Sequence, residues 1–273
     1  MSKLVDGEEF SIIAKNNICY ITLNSPSTKN SISLRMSSIM QSISIQENGC
    51  PSLLEKFLIE QNCLLIVVKS DLEGIFSSGG NLSELNKNDF ESCKYYAPSI
   101  KSFCKLLHST NTPSVTLLTG PSFGGGVELA LATDFRWGIG KSYDFHFTQT
   151  KFGIPTGWGG MQRLTELSPQ LNSRKVSAII IGKIKFNHEE LLNLGLVDRK
   201  FSSKKSCNAA LQEWVNHNLD CPKYLIDDLM FRKNIENIHN LEEYDIEIFN
   251  KYFLQDDHKK RIQKFLSSKK KKT

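Results

Sequence analysis

Two glycine-containing turns constrain this chain more than any other feature. They are Phe76-Ser77-Ser78-Gly79-Gly80-Asn81-Leu82 and Gly120-Pro121-Ser122-Phe123-Gly124-Gly125-Gly126. Each follows a short strand-like run, the continuous apolar 64–68 and the mixed 114–118, and each precedes a stretch with helical character. A continuous apolar run of five residues between polar flanks reads as a strand buried on both faces. At a strand–glycine–helix junction the backbone N–H groups point outward without intrahelical partners, next to the positive end of the helix dipole. Two such turns facing each other would offer two donors to one oxygen, which is the arrangement of an oxyanion hole. Glycine suits the position because a ligand must approach the backbone closely. No Gly-Lys-Ser/Thr follows either turn, so neither is a phosphate-binding P-loop.

The rest of the chain continues the pattern. A strand is expected over 18–23, ended by Asn24-Ser25-Pro26. Met36, Ile39, Met40 and Ile43 recur at helical spacing within 34–45. Helices are expected over 90–107 and 127–132, strands over 135–138 and 145–147, and mostly helix beyond residue 164. Strands alternating with helices, then a helical block, make an α/β protein.

Composition narrows the class. The chain has 273 residues, 40% of them apolar, enough for a sizeable core, and no run long and apolar enough to span a bilayer. Residues 1–17 lack the features of a secretory or mitochondrial leader, and the final Lys-Lys-Thr is no peroxisomal address, so cytosol is the expected compartment. Seven cysteines, none in a Cys-x-x-Cys pair, suit free thiols in a reducing compartment. Cys104 and His108 stand four apart without a third ligand nearby, so no metal is expected. Residues 258–273 carry eight Lys/Arg and no acid; removing those eight from the net +5 leaves −3 for residues 1–257. The body is not a basic surface, so neither a nucleic-acid partner nor a membrane partner is expected.

The two turns, taken with three further segments in order, resemble the crotonase (enoyl-CoA hydratase/isomerase) superfamily. FSSGGNL resembles its first oxyanion turn and GPSFGGGVELALATDFR its second. FHFTQTKFGIPTGWGGMQRL resembles the segment with the second catalytic position, GKIKFNHEELLNLGLVDRKF the helix that follows, and ICYITLNSPSTKNSIS the N-terminal strand and the nucleotide loop. The resemblance implies a ClpP/crotonase-like spiral of ββα units: an acyl-CoA-binding core over 1–200 and a C-terminal helical oligomerisation region with a basic tail over 201–273. It implies a homotrimer or hexamer. CoA enters as part of the substrate, and no separate cofactor is implied.

Site residues carried over by position are Ser78 and Gly125 as oxyanion donors, Glu128 as the first catalytic glutamate, and Gln149 where hydratases hold a second glutamate. Lys29, Asn30, Ser77, Lys264 and Phe265 fall on CoA-binding positions and Trp158 on the acyl pocket. Gln149 decides the subfamily reading. Adding water to an enoyl thioester uses two carboxylates around one water, and a neutral amide cannot take up a proton. The branch lacking the second acid contains the ethylmalonyl-CoA and methylmalonyl-CoA decarboxylases, and Phe76-Ser77-Ser78-Gly79, Asp134-Phe135-Arg136 and Trp158-Gly159-Gly160 resemble it further. Asn81 stands where that branch has aspartate. The implied activity is removal of CO2 from ethylmalonyl-CoA, with methylmalonyl-CoA as a second substrate, clearing wrongly carboxylated acyl-CoA in lipid metabolism. The alternatives are a hydratase or isomerase of fatty-acid breakdown and a catalytically silent binding protein.

Overall fold

The computed structural model describes residues 1–47, 49–231, 238–253 and 255–270. The chain opens with an antiparallel meander of β1 (Ser2–Asp6), β2 (Phe10–Lys15) and β3 (Ile18–Leu23). A short strand, β4 (Ser31–Ile32), leads into helices α1 (Leu34–Ser44) and α2 (Leu53–Glu60). Then come β5 (Leu65–Ser70), β6 (Gly79–Gly80), α3 (Leu82–Leu85), α4 (Phe90–Cys93) and α5 (Tyr96–Ser109). The second half begins with β7 (Ser114–Leu118), β8 (Ser122–Phe123), α6 (Gly125–Ala130), β9 (Phe135–Ile139) and β10 (Phe145–His146). It continues through α7 (Gly160–Leu167), α8 (Ser173–Ile181), β11 (Lys185–Phe186), α9 (His188–Asn193) and β12 (Arg199–Phe201). Helices α10 (Lys204–Asn218), α11 (Lys223–Phe231), α12 (Ile238–Tyr252) and α13 (Asp256–Lys270) follow.

One seven-stranded sheet, in the order β1-β2-β3-β5-β7-β9-β12, divides two apolar layers. Side chains alternate across a strand, so Ile66 and Val68 of β5 enter one layer while Leu65 and Val67 enter the other. That double burial is why 64–68 is unbroken hydrocarbon. The first layer is closed by α1 and α5, the second by α10 through Cys207, Leu211 and Val215. The paired strands β4–β6 and the small sheet β11-β10-β8 carry the two glycine turns.

One expectation changes. The helix expected over 90–107 is broken at Lys94 and Tyr95. Pro98 is the cause: within a continuous helix its ring would collide with the carbonyl of residue 94, whereas in the first turn of α5 its missing N–H costs nothing. The apolar stripe also begins only at Tyr96 and runs through Ile100, Phe103, Cys104 and Leu107. Helices dominate beyond 164, as expected; of the two short strands there, β12 adds to β9 in parallel. Three residues with two exposed cations give no periodic signal; tertiary contact holds them, with Arg199 lying 5.0 Å from the ring centres of both Trp137 and Phe201.

Asp134-Phe135-Arg136 is a structural brace. Asp134 accepts the N–H and hydroxyl of Ser114 at 2.8 and 2.7 Å. Arg136 is 1% exposed and donates to the carbonyls of Leu196, Thr133 and Asp134 at 2.6, 2.7 and 3.1 Å, with Asp198 at 3.5 Å. Arg136→Met leaves those acceptors stranded. We expect a loss of about 3–5 kcal/mol in urea unfolding, checked by midpoint and slope.

Candidate active site

The second turn sets the first side of the site. Gly124 lies at φ 50°, ψ −117°, a backbone state open to glycine, and reverses the chain from β8 into α6. Its own N–H donates to the His146 carbonyl at 2.9 Å. Gly125 then opens α6, where first-turn N–H groups have no intrahelical acceptor. The first turn abuts this one. Gly79, at φ 90°, has no room for a side chain: a Cβ there would lie 2.6 Å from the Phe123 carbonyl oxygen and 3.1 Å from the Gly125 nitrogen. Phe123 N–H donates to the Ser77 carbonyl at 2.9 Å, completing the link between the turns.

Which amide of the first turn is available follows from its hydrogen bonds. Ser78 N–H donates to the Lys29 carbonyl at 3.0 Å, Gly79 N–H to Ser77 Oγ at 3.1 Å, and Asn81 N–H to the Ile32 carbonyl at 3.0 Å. The expectation for Ser78 is therefore corrected: its N–H is spent inside the fold. Gly80 is different. It pairs with Ile32 in parallel register, and the Ile32 carbonyl accepts from the next residue, Asn81. In a parallel ladder the residue straddled in this way turns its own N–H away from the neighbouring strand.

Glu128 sits one turn into α6, 2% exposed, and among the described residues it is the one buried carboxylate. Four donors converge on it. Its Oε2 accepts the N–H groups of Trp158 and Gly160 at 2.7 and 2.9 Å; its Oε1 accepts Gly157 N–H at 3.3 Å and Gln149 Nε2 at 3.2 Å. Burial pushes its carboxyl above the ordinary range, while the donors from Gly160, Trp158, Gln149 and Gly157 pull the other way. Gln149 is likewise buried, and its Oε1 has no hydrogen-bond partner. Cys104, fully enclosed on α5, is pushed up to about 12 by burial and stays a neutral thiol.

Trp158 walls the site. Its indole lies against Gly125 so closely that a Cβ there would meet Cη2 and Cζ3 at 2.4 Å. Tyr96 meets the indole edge-on, 6.2 Å between ring centres, and its hydroxyl donates to the Ile32 carbonyl at 2.6 Å.

The model of the enoyl-CoA hydratase/isomerase family matches residues 13–272. This chain belongs to that family. A curated relative, ethylmalonyl-CoA decarboxylase of Bos taurus, is 27% identical over 234 residues, covering 83% of this chain and 69% of that one. A probable mitochondrial enoyl-CoA hydratase 2 of Arabidopsis thaliana is 27% identical over 183 residues, covering 67% of this chain and 56% of that one. The solved enoyl-CoA hydratase of Thermoplasma volcanium superposes with a TM-score of 0.76 at 20% identity, over 94% of this chain and 97% of that one. The likeness establishes a crotonase fold.

In this family member the expected site residues separate into groups. Gly125, Glu128, Gln149 and Trp158 come together. Asn30 and Ser77 are buried ties rather than free side chains. Asn30 Oδ1 accepts Ser25 N–H at 2.7 Å, and its Nδ2 donates to Ser70 Oγ and the Phe76 carbonyl at 2.8 and 3.0 Å. Ser77 Oγ donates to the Asn30 carbonyl at 2.7 Å. A CoA contact through either side chain is thereby corrected; these positions have main chain to offer. Lys29 is exposed in the left-handed region at φ 55°, and Lys264 is exposed on α13. The Phe265 side chain lies outside the described residues. Among those residues no helix is long and apolar enough to cross a membrane.

Sequence reasoning missed Gly80 and the amides of Gly157 and Gly160. Main-chain donors leave no side-chain signature, although Gly-x-Gly-Gly around Trp158 marks a chain path close to something buried.

Proposed function

We propose that this enzyme removes CO2 from a 2-alkylmalonyl-CoA, ethylmalonyl-CoA in the first place and methylmalonyl-CoA in the second. The observation that carries the reading is the pairing of a single buried carboxylate, Glu128, with an amide, Gln149, where hydration needs a second acid. Relatives named ethylmalonyl-CoA decarboxylase support it.

The chemistry runs on main-chain donors. Loss of CO2 leaves an enolate whose charge rests on the thioester oxygen. In this reading Gly80 and Gly125 N–H groups hold that oxygen, stabilising charge that develops in the transition state. The substrate carboxylate lies near Gln149 rather than near a second carboxylate. Like charges 4 Å apart at an effective dielectric of 20 repel by roughly 4 kcal/mol, and the amide avoids that cost. Glu128, kept protonatable by burial, delivers the proton that turns the enolate into the shortened acyl-CoA. CoA itself is substrate. We assign the enzyme to the cytosol, consistent with seven cysteines that are all free thiols, and to a trimer or hexamer as part of the same reading.

A second reading, hydration of an enoyl-CoA, rests on relatives and solved structures named as hydratases. One assay separates the two. Purified enzyme given ethylmalonyl-CoA should yield butyryl-CoA by mass, while crotonyl-CoA stays unchanged. Hydroxybutyryl-CoA from crotonyl-CoA would favour the hydratase. No turnover of either would leave a silent acyl-CoA-binding protein.

A further inference from the structure

Glu128 and Gln149 form a pair whose bookkeeping is incomplete. Gln149 spends its Nε2 on Glu128 Oε1 at 3.2 Å, and among the described residues its side chain makes no other hydrogen bond. Its Oε1 is buried without a donor. A buried carbonyl without a donor is destabilising, so the arrangement calls for a state in which that oxygen is used. The amide lies against the second glycine turn, its carbon 4.0 Å from where a Gly124 side chain would begin.

The two oxygens of Glu128 are not equivalent. Oε2 is held by two short backbone bonds, 2.7 and 2.9 Å, and Oε1 by two longer bonds, 3.2 Å from the Gln149 side chain and 3.3 Å from the Gly157 backbone. A proton arriving on the carboxylate therefore joins Oε1, where less is lost. The new O–H would then face the Gln149 N–H₂ group, donor against donor. Rotating the amide by half a turn removes the conflict and breaks no other side-chain hydrogen bond. It brings the unmet Oε1 of Gln149 onto the O–H.

We infer that Gln149 is a two-state partner of Glu128, donating N–H to the carboxylate and accepting O–H from the carboxylic acid. In the protonated state the amide N–H₂ turns away from Glu128 and becomes available to an anionic substituent on the acyl group. Recognition of a carboxylated thioester is thereby coupled to an acid already loaded with its proton. The cycle balances: solvent supplies a proton to Glu128 Oε1, the enolate electron pair takes it to form the C–H bond, and the carboxylate re-forms as the amide rotates back. Titratable groups packed around this pair include Cys104 from α5, whose thiol feels both Glu128 and Arg163, and Arg163 from α7, whose guanidinium lies against Gly159. The 149–160 segment otherwise brings amides and Trp158 to Glu128. The role of Glu128 as proton donor rests on the proposed decarboxylation; the amide rotation does not.

Infrared difference spectra of the ligand-free enzyme test it. Side-chain carbonyl ¹³C-labelled glutamine reports Gln149, and Gln149→Met assigns its band by loss. As pH falls and the protonated Glu128 carbonyl band grows in, the Gln149 amide band should shift to lower frequency along the same curve, because its oxygen gains a donor. Glu128→Gln should abolish both changes. A Glu128 that titrates while the Gln149 band stays fixed overturns the inference. So does a Glu128 that remains ionised down to acid unfolding. An amide that rotates in an enzyme inert toward ethylmalonyl-CoA leaves the inference standing and removes the decarboxylase reading instead.

Discussion

With Glu128 as the proton donor of the proposed decarboxylation, Glu128→Gln is expected to lower turnover of ethylmalonyl-CoA by about 10²–10⁴-fold, the range of a lost general acid. The substitution keeps size and removes the proton. It also has a structural cost that follows from geometry: all four partners of Glu128 are N–H donors, so the new amide must set its own N–H₂ against two of them. About 1–3 kcal/mol of stability goes with that mismatch, and rates must be compared well below the unfolding midpoint. The pH dependence of stability changes in a direction fixed by the raised carboxyl. In the wild type the folded state holds its proton at a pH where the unfolded chain has lost it. That contribution is full below the unfolded pKa and is lost as pH rises through the folded one. The variant should lack it, which urea unfolding at several pH values measures. Turnover equal to wild type would remove Glu128 from the chemistry.

Gly125→Ala is the second large effect. The added methyl would sit 2.4 Å from two carbons of the Trp158 ring, against a normal contact of about 3.5–4.0 Å. The ring cannot yield, since Trp158 is 5% exposed and meets Tyr96 at its edge, and the main-chain N–H of Trp158 ties the backbone beneath it to Glu128. The turn must shift instead, and with it the Gly125 N–H. We expect about 1–3 kcal/mol of overpacking together with a 10²–10³-fold fall in kcat, roughly the loss of one oxyanion donor. Adding Trp158→Leu makes room, so the double variant should be more stable than Gly125→Ala alone, read as a coupling in a double-mutant cycle. Equal stability of the two would mean that the clash is relieved elsewhere.

The legible parts of this protein are those written in side chains. The apolar run at 64–68 marks a central strand of the sheet, because a strand covered on both faces is largely hydrocarbon, and in the run at 114–118 the buried Ser114 and Thr116 hydroxyls are hydrogen-bonded to Asp134 and Thr133. Pro98 was equally legible, and it sets the break that a reading by periodicity alone overlooks. Glu128 and Gln149 differ by identity alone, since a carboxyl can exchange a proton and an amide cannot, and the proposed function draws on that difference.

By itself, then, the sequence determined the α/β class, the two glycine turns, the family likeness and the presence of one acid beside one amide. The tertiary structure decided which backbone groups are free. Ser78 loses its N–H to Lys29, and Gly80 turns away from β4. Glu128 gains its donors from residues 149–160, and Asn30 disappears into the core. The reason is physical: nearly every residue carries the same N–H, so its direction is set by strand register between segments some fifty residues apart, and no pattern of side chains records it.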